Sequence, residues 1–114
     1  MDETTHTHTA VDKTVAHWIK AEFGRQYFVT GITVVNRIDA LDSRQQKRND
    51  NADIIAILDG LETTVGNIGE LWVRRSYGIM RKADELKLYY NATVAAQIDG
   101  CMNIKEIWVY GWVE

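Results

Sequence analysis

The stretch that decides the fold is Glu85–Val113, ELKLYYNATVAAQIDGCMNIKEIWVYGWV. Two apolar runs flank Asp99-Gly100. Asp-Gly in that setting is a strong hairpin signal, because a type I′ turn needs positive φ at both central residues. A two-residue loop pairs Ile98 with Cys101, and the remaining register follows by alternation. One face of the expected hairpin carries Leu86, Leu88, Tyr90, Ala92, Val94, Ala96 and Ile98, opposite Val113, Gly111, Val109, Ile107, Lys105, Asn103 and Cys101. It is apolar except near the tip, which makes it the core face. The other face carries Lys87, Tyr89, Asn91 and Thr93, opposite Trp112, Tyr110, Trp108 and Glu106. Here large aromatics stand among a cation, an amide, a hydroxyl and a carboxylate. Rings supply contact area and polar groups supply orientation, so this face is a ligand platform, an interface or a second packed layer.

Upstream of the hairpin, Glu70–Met80 (ELWVRRSYGIM) reads as a strand, with Arg81–Asp84 as the turn that follows it. A four-residue loop there adds Leu71, Val73, Tyr77 and Ile79 to the core face, and Trp72, Arg74 and Ser76 to the aromatic face. Arg75 then points inward, which a bulge would relieve. The candidate ligand-binding or interface residues are therefore Trp72, Arg74, Lys87, Tyr89, Asn91, Glu106, Trp108, Tyr110 and Trp112.

Gln26–Val35, QYFVTGITVV, is rich in β-branched and aromatic residues and reads as a strand apolar on both faces, with Gly31 marking a bulge or a close backbone approach. Ala52–Trp72 supports two readings. Ile54, Leu58, Leu61, Val65, Ile68 and Trp72 make a heptad seam, which favours a helix over Ala52–Thr64 capped by Asn51. Gly60, Gly66, Gly69 and Thr63-Thr64 oppose a helix, and Asp59-Gly60 offers the alternative of a hairpin pairing Ile54–Leu58 with Leu61–Val65. Nearer the start, Thr9-Ala-Val-Asp12 resembles a capping box. Val11, Val15, Trp18, Ile19 and Phe23 follow at helical spacing, with Gly24 placed to end the helix. The expected fold is α+β: a mainly antiparallel sheet of about four or five strands with a long C-terminal hairpin and the N-terminal helix packed on one face. Residues 1–8 read as a flexible polar tail and residues 9–114 as one domain. The outline of the final residues is similar to that of small cone-shaped α+β folds, but the first half does not follow that pattern.

An apolar fraction of 46% suits a globular core large enough to need no staple. A net charge of −3 argues against a broad nucleic-acid footprint, although Arg37, Arg44, Lys47 and Arg48 form a local basic excess. No apolar run approaches the ~20 residues of a membrane span. The N-terminus lacks a signal-peptide core, so a cytoplasmic location is expected. A single cysteine, Cys101, excludes an intrachain disulfide and a cysteine-rich metal site. His6 and His8 at i, i+2 would need further ligands to hold a metal, so neither metal nor cofactor is expected.

No phosphate-binding loop, dinucleotide fingerprint or nucleophile elbow occurs in the chain. The only titrating set that the faces assemble is Glu106 with Arg74, Lys87, Tyr89 and Trp108. Glu106 would be its acid or base, and no catalytic residue is assigned. The leading functional expectation is a non-enzymatic interaction protein, homodimeric through the aromatic face. The alternative is a small-molecule-binding domain, or a small enzyme on such a scaffold, with that face as the pocket for an apolar or aromatic-stacking ligand.

Overall fold

The computed structural model describes residues 7–8, 17–36, 49–71, 73–91 and 103–113. They form one antiparallel sheet of six strands: β1 (Thr7–His8), β2 (His17–Asn36), β3 (Asp53–Leu58), β4 (Leu61–Asn67), β5 (Arg74–Tyr90) and β6 (Asn103–Val113). The order across the sheet is β1-β6-β2-β5-β3-β4. There is no α-helix among the described residues, so the α+β expectation is corrected to all-β.

The N-terminal helix fails on its period. From His17 on, the segment is strand: His17, Ile19 and Ala21 turn inward while Trp18, Lys20 and Glu22 turn to solvent. Over so few residues, spacings of three and four mimic a helical stripe, although the buried set repeats every two. Gly24 has the positive φ (77°) expected of a helix C-cap, but it lies within a strand, at an irregularity between Glu22 and Tyr27. The expected positions Thr9–Val15 lie outside the described residues.

The long hairpin is also corrected. β5 and β6 do not pair; each pairs antiparallel with β2, which lies between them. They therefore run parallel, and the expected tip at Asp99-Gly100 lies outside the described residues. The hairpin is found in β3–β4 instead. Leu58 pairs with Leu61 around Asp59 (φ 51°) and Gly60 (φ 81°), the two positive φ values of a type I′ turn. This replaces the helix favoured over Ala52–Thr64 with its alternative. Arg81–Asp84 is no turn; β5 runs through it, with an irregularity marked by Met80 (φ 52°).

At 20 and 17 residues, β2 and β5 are far longer than the typical ~5–6. Each serves two halves of the sheet. Tyr27–Asn36 of β2 pairs with β6 and with the first part of β5. His17–Glu22 pairs with the last part of β5, which in turn pairs with β3. Between the halves the register breaks, and such breaks let a strand turn a corner from one layer to another. Side chains from both halves meet in one core: Val29, Ile32, Val34 and Ile107 from the first, and Ile19, Ile54, Ala56, Leu86 and Leu88 from the second.

A polar seam ties the two halves together at one end. Asn36 Nδ2 donates to Leu71 O (2.9 Å), Asn49 Nδ2 donates to Asn36 Oδ1, and Leu71 N donates to Asp50 Oδ1 (2.9 Å). At the other end, Asp59 at the β3–β4 turn accepts from Gln26 Nε2 (3.2 Å), and its N–H donates to Asp84 Oδ2 (3.0 Å).

Candidate functional site: an aromatic outer face

Alternation fixes which side chains of the first half face outward. Val29, Ile32 and Val34 are buried in the core. Their neighbours Phe28, Thr33 and Val35 therefore point away from it, together with the residues paired to them. Phe28 lies between Lys82 and Trp112; Thr33 between Ser76 and Trp108; Val35 between Arg74 and Glu106. Tyr110 sits across from Gly31. Five of the sequence-predicted residues, Arg74, Glu106, Trp108, Tyr110 and Trp112, thus share one face. They gather around β2, however, and not along a hairpin.

The rings on this face are held by specific contacts. Phe28 and Trp112 stack with centroids 5.0 Å apart and planes 24° apart, and Trp112 keeps 55% of its surface exposed. The Arg74 guanidinium carbon lies 5.4 Å from the Trp108 ring centroid, a cation–π distance. Thr33 Oγ1 lies 2.9 Å from Tyr110 Oη and 2.7 Å from Ser76 Oγ, a run of three hydroxyls across β6, β2 and β5. Tyr110 is anchored at its hydroxyl yet 46% exposed, so its ring keeps a free surface. Gly111 permits the close packing beneath: a Cβ there would lie 2.1 Å from Phe28 O.

Glu106 is unlike the rest of the face. It is 1% exposed, and neither carboxylate oxygen has a hydrogen-bond partner among the described residues. A buried carboxylate in that state is costly unless a cation or donor reaches it. Among the described residues no group of three or more His, Cys, Asp or Glu side chains is placed to hold a metal ion.

The other predicted residues lie elsewhere. Lys87 and Tyr89 belong to the outer face of the second half, where Lys87 Nζ donates to Glu62 Oε2 (2.8 Å) and lies 5.5 Å from the Tyr89 ring. Asn91 is exposed just past the end of β5. Trp72 lies outside the described residues. Arg75 lies on the core side as expected, paired with buried Val34, but is exposed; its Nη1 reaches Glu70 O at 3.4 Å. Sequence reasoning missed Phe28 and Thr33 as partners of this face. Strict alternation puts Phe28 on the side of Ile32 and Val34; the irregularity between Val29 and Gly31 reverses that, and nothing local names β6 as the neighbour.

Two clefts flank the β3–β4 turn. One, of about 420 Å³, is lined by Glu22, Arg25, Gln26 and Asp84 among others. The other, of about 450 Å³, is lined by Leu58, Asp59, Leu61 and Thr63 together with Arg81 and Lys82. Lys82 thus belongs both to this cleft and to the row Lys82–Phe28–Trp112.

The sequence matches no protein-family model and no curated protein. The fold, by contrast, is shared with solved structures. A fucose-binding module of Streptococcus pneumoniae, SpX-3, superposes with a TM-score of 0.73 at 19% identity, covering 92% of this chain and 71% of that one. The lectin domain of lectinolysin, complexed with Lewis B antigen, gives 0.73 at 16% identity, covering 92% and 70%. The family 32 carbohydrate-binding module of Clostridium perfringens NanJ, in complex with galactose, gives 0.69 at 21% identity, covering 95% and 77%. The chain has the all-β fold of these modules.

Proposed function

We propose that the chain is a non-catalytic carbohydrate-binding module whose ligand lies on the outer aromatic face. The observation that carries this reading is Trp112. It is a large ring more than half exposed, fixed by stacking on Phe28, in a fold that sugar-binding modules share. A pyranose offers one face of C–H groups and a rim of hydroxyls. The C–H face buries apolar area against a ring, at about 25 cal/mol per Å². The hydroxyls then bond to polar groups at the edge, here Ser76 and Arg74. Preset rings cost little entropy on binding, since stacking and the Tyr110 hydroxyl bond already limit their rotamers. Of the two functional expectations, the likeness in fold supports the ligand-binding domain over the homodimeric interaction protein.

The test is titration with fucose, galactose and N-acetylgalactosamine, read by tryptophan fluorescence for wild type and Trp112→Ala. Wild type is expected to bind at least one of them. The variant is expected to bind about tenfold or more weakly, with a small drop in Tm from the lost stack on Phe28 and the fold retained. No fluorescence or calorimetric response to any sugar overturns the reading. So does a wild-type dimer that Trp112→Ala converts to monomer, which makes this face an interface between copies.

A further inference from the structure

We infer that the chain carries a second sugar-binding surface, centred on Trp18 and Tyr89, on the side of the molecule opposite Trp112. The inference rests on the carbohydrate-binding reading above and makes the module bivalent. It starts from exposure. Trp18 is 52% exposed on the outer side of β2, and Tyr89 is its partner on β5. The row continues over the next two strands: Tyr89 pairs with Asp53, and Asp53 with Asn67. Paired residues share a face, so two rings, a carboxylate and an amide stand in line across β2, β5, β3 and β4. Because the two halves of the sheet meet in one core, their outer faces point apart, with Trp112 on one and Trp18 on the other.

Both rings of the row are steadied by lysines. Lys20 Nζ lies 5.7 Å from the Trp18 ring centroid, and Lys87 Nζ lies 5.5 Å from that of Tyr89. These lysines are themselves held: Lys20 lies 3.8 Å from Glu85 and 3.9 Å from Glu22, and Lys87 donates to Glu62 at 2.8 Å. A half-exposed indole fixed in this way loses little freedom when a ligand covers it. The polar end is fixed as well. Asn67 Nδ2 donates to Asn51 O (2.9 Å) and to Asp53 Oδ1 (3.0 Å). An ionised carboxylate has about four acceptor sites, so Asp53 keeps capacity for hydroxyl donors. With strands about 4.8 Å apart, Asp53 stands roughly 10 Å from Trp18 along the row. A pyranose laid with its C–H face on Trp18 therefore turns hydroxyls towards Tyr89 and Asp53. A second copy of the chain suits this surface less well. A stable interface takes about 800 Å² from each partner, whereas a Trp and a Tyr supply about 150–250 Å² each when fully covered. The next row holds Lys20 and Lys87, whose burial in a larger interface would be costly.

The test follows the indole N–H signals of the four tryptophans by heteronuclear NMR, assigned with single Trp→Phe variants, as fucose, galactose, N-acetylgalactosamine or lactose is titrated. At least one sugar is expected to move both the Trp18 and the Trp112 signals, each with its own saturation curve. Trp18→Ala is expected to leave the Trp112 curve unchanged. It is also expected to abolish the turbidity that a bivalent module produces with a polymer bearing many copies of that sugar. Asp53→Asn keeps the acceptor for Asn67 and removes the charge, so it is expected to weaken binding at Trp18 alone by about three- to tenfold. Circular dichroism confirms that the variants fold. Movement of the Trp112 signal alone overturns this inference and leaves the carbohydrate-binding reading standing. Movement of the Trp18 signal alone overturns the bivalence and moves the sugar site off the Trp112 face. No movement of either signal with any of the sugars overturns both readings. A Trp18 signal that shifts when the protein is diluted without sugar makes this surface a contact between copies, and it overturns the inference as well.

Discussion

Thr33 and Tyr110 lie 77 residues apart in sequence and 2.9 Å apart at their hydroxyls. Thr33 also meets Ser76 at 2.7 Å, so one buried threonine on the central strand fixes groups on both neighbouring strands. Thr33→Val keeps the β-branched shape and removes the hydroxyl that joins the other two. Each lost bond is worth about 0.5–1.5 kcal/mol. A Tm drop of about 4–10 °C is therefore expected in thermal denaturation. Ligand affinity is expected to fall as well, because the Tyr110 ring loses its tether. An unchanged Tm would show that this hydroxyl run contributes nothing to the sheet.

Gly111 tests the packing beneath the platform. Its φ is +155°, and a Cβ at that position would meet Phe28 O at 2.1 Å, Phe28 C at 3.0 Å and Val29 Cα at 3.0 Å. These are backbone atoms, so no rotamer change relieves the clash. Gly111→Ala is expected to cost about 3 kcal/mol or more and to yield a protein largely unfolded near 50 °C. Gly78→Ala on the same half, with nothing within 4 Å of the added Cβ, is expected to be tolerated. Equal stability of the two variants would mean that β6 does not approach β2 as closely as described.

The sequence showed the faces of the strands better than their partners. Alternation placed Leu86, Leu88, Tyr90 and Ile107 on the core side and Trp108, Tyr110 and Trp112 on the other, and that is where they lie with respect to the core. Pairing is a long-range property. Asp99-Gly100 suggested β5 against β6, yet β2 lies between them, and no local signal in β2 specifies both neighbours. The N-terminal strand was misread for a related reason. Trp18 is 52% exposed on the outer side, and counting it with the apolar set turned a two-residue alternation into a helical stripe. Where the signal was wholly local, at Asp59-Gly60, the turn reading matched the structure and the heptad seam did not.

Glu106 carries a prediction of opposite sign to that of Thr33. Its carboxylate is buried and neither oxygen has a hydrogen-bond partner among the described residues, and burying polar atoms without partners is costly. Glu106→Gln keeps the shape and removes the charge. In chelator-containing buffer at neutral pH, where no metal ion can reach the site, the variant is expected to be more stable by about 1–3 kcal/mol in urea denaturation. A less stable variant under those conditions would mean that the carboxylate has a favourable partner in the folded chain.

Tyr77 gives the pH dependence. Its hydroxyl donates to Ile68 O at 2.6 Å, and burial, partly offset by Arg75, pushes the phenol above its ordinary value of 10.0. The neutral form is the one that donates and the one that burial favours. A group with a raised folded-state pKa contributes stability that is present below the unfolded value and lost as pH rises through the folded one. Unfolding therefore becomes easier above about pH 10, where the exposed phenol of the unfolded chain ionises first. Tyr77→Phe removes this contribution. It is expected to be less stable than wild type at pH 8 through the lost bond to Ile68, by about 1 kcal/mol, and to close that gap as pH rises past 10. Parallel stability curves for the two proteins across this range would show that Tyr77 titrates alike in both states. A gap that widens with pH would mean that the folded chain favours the phenolate.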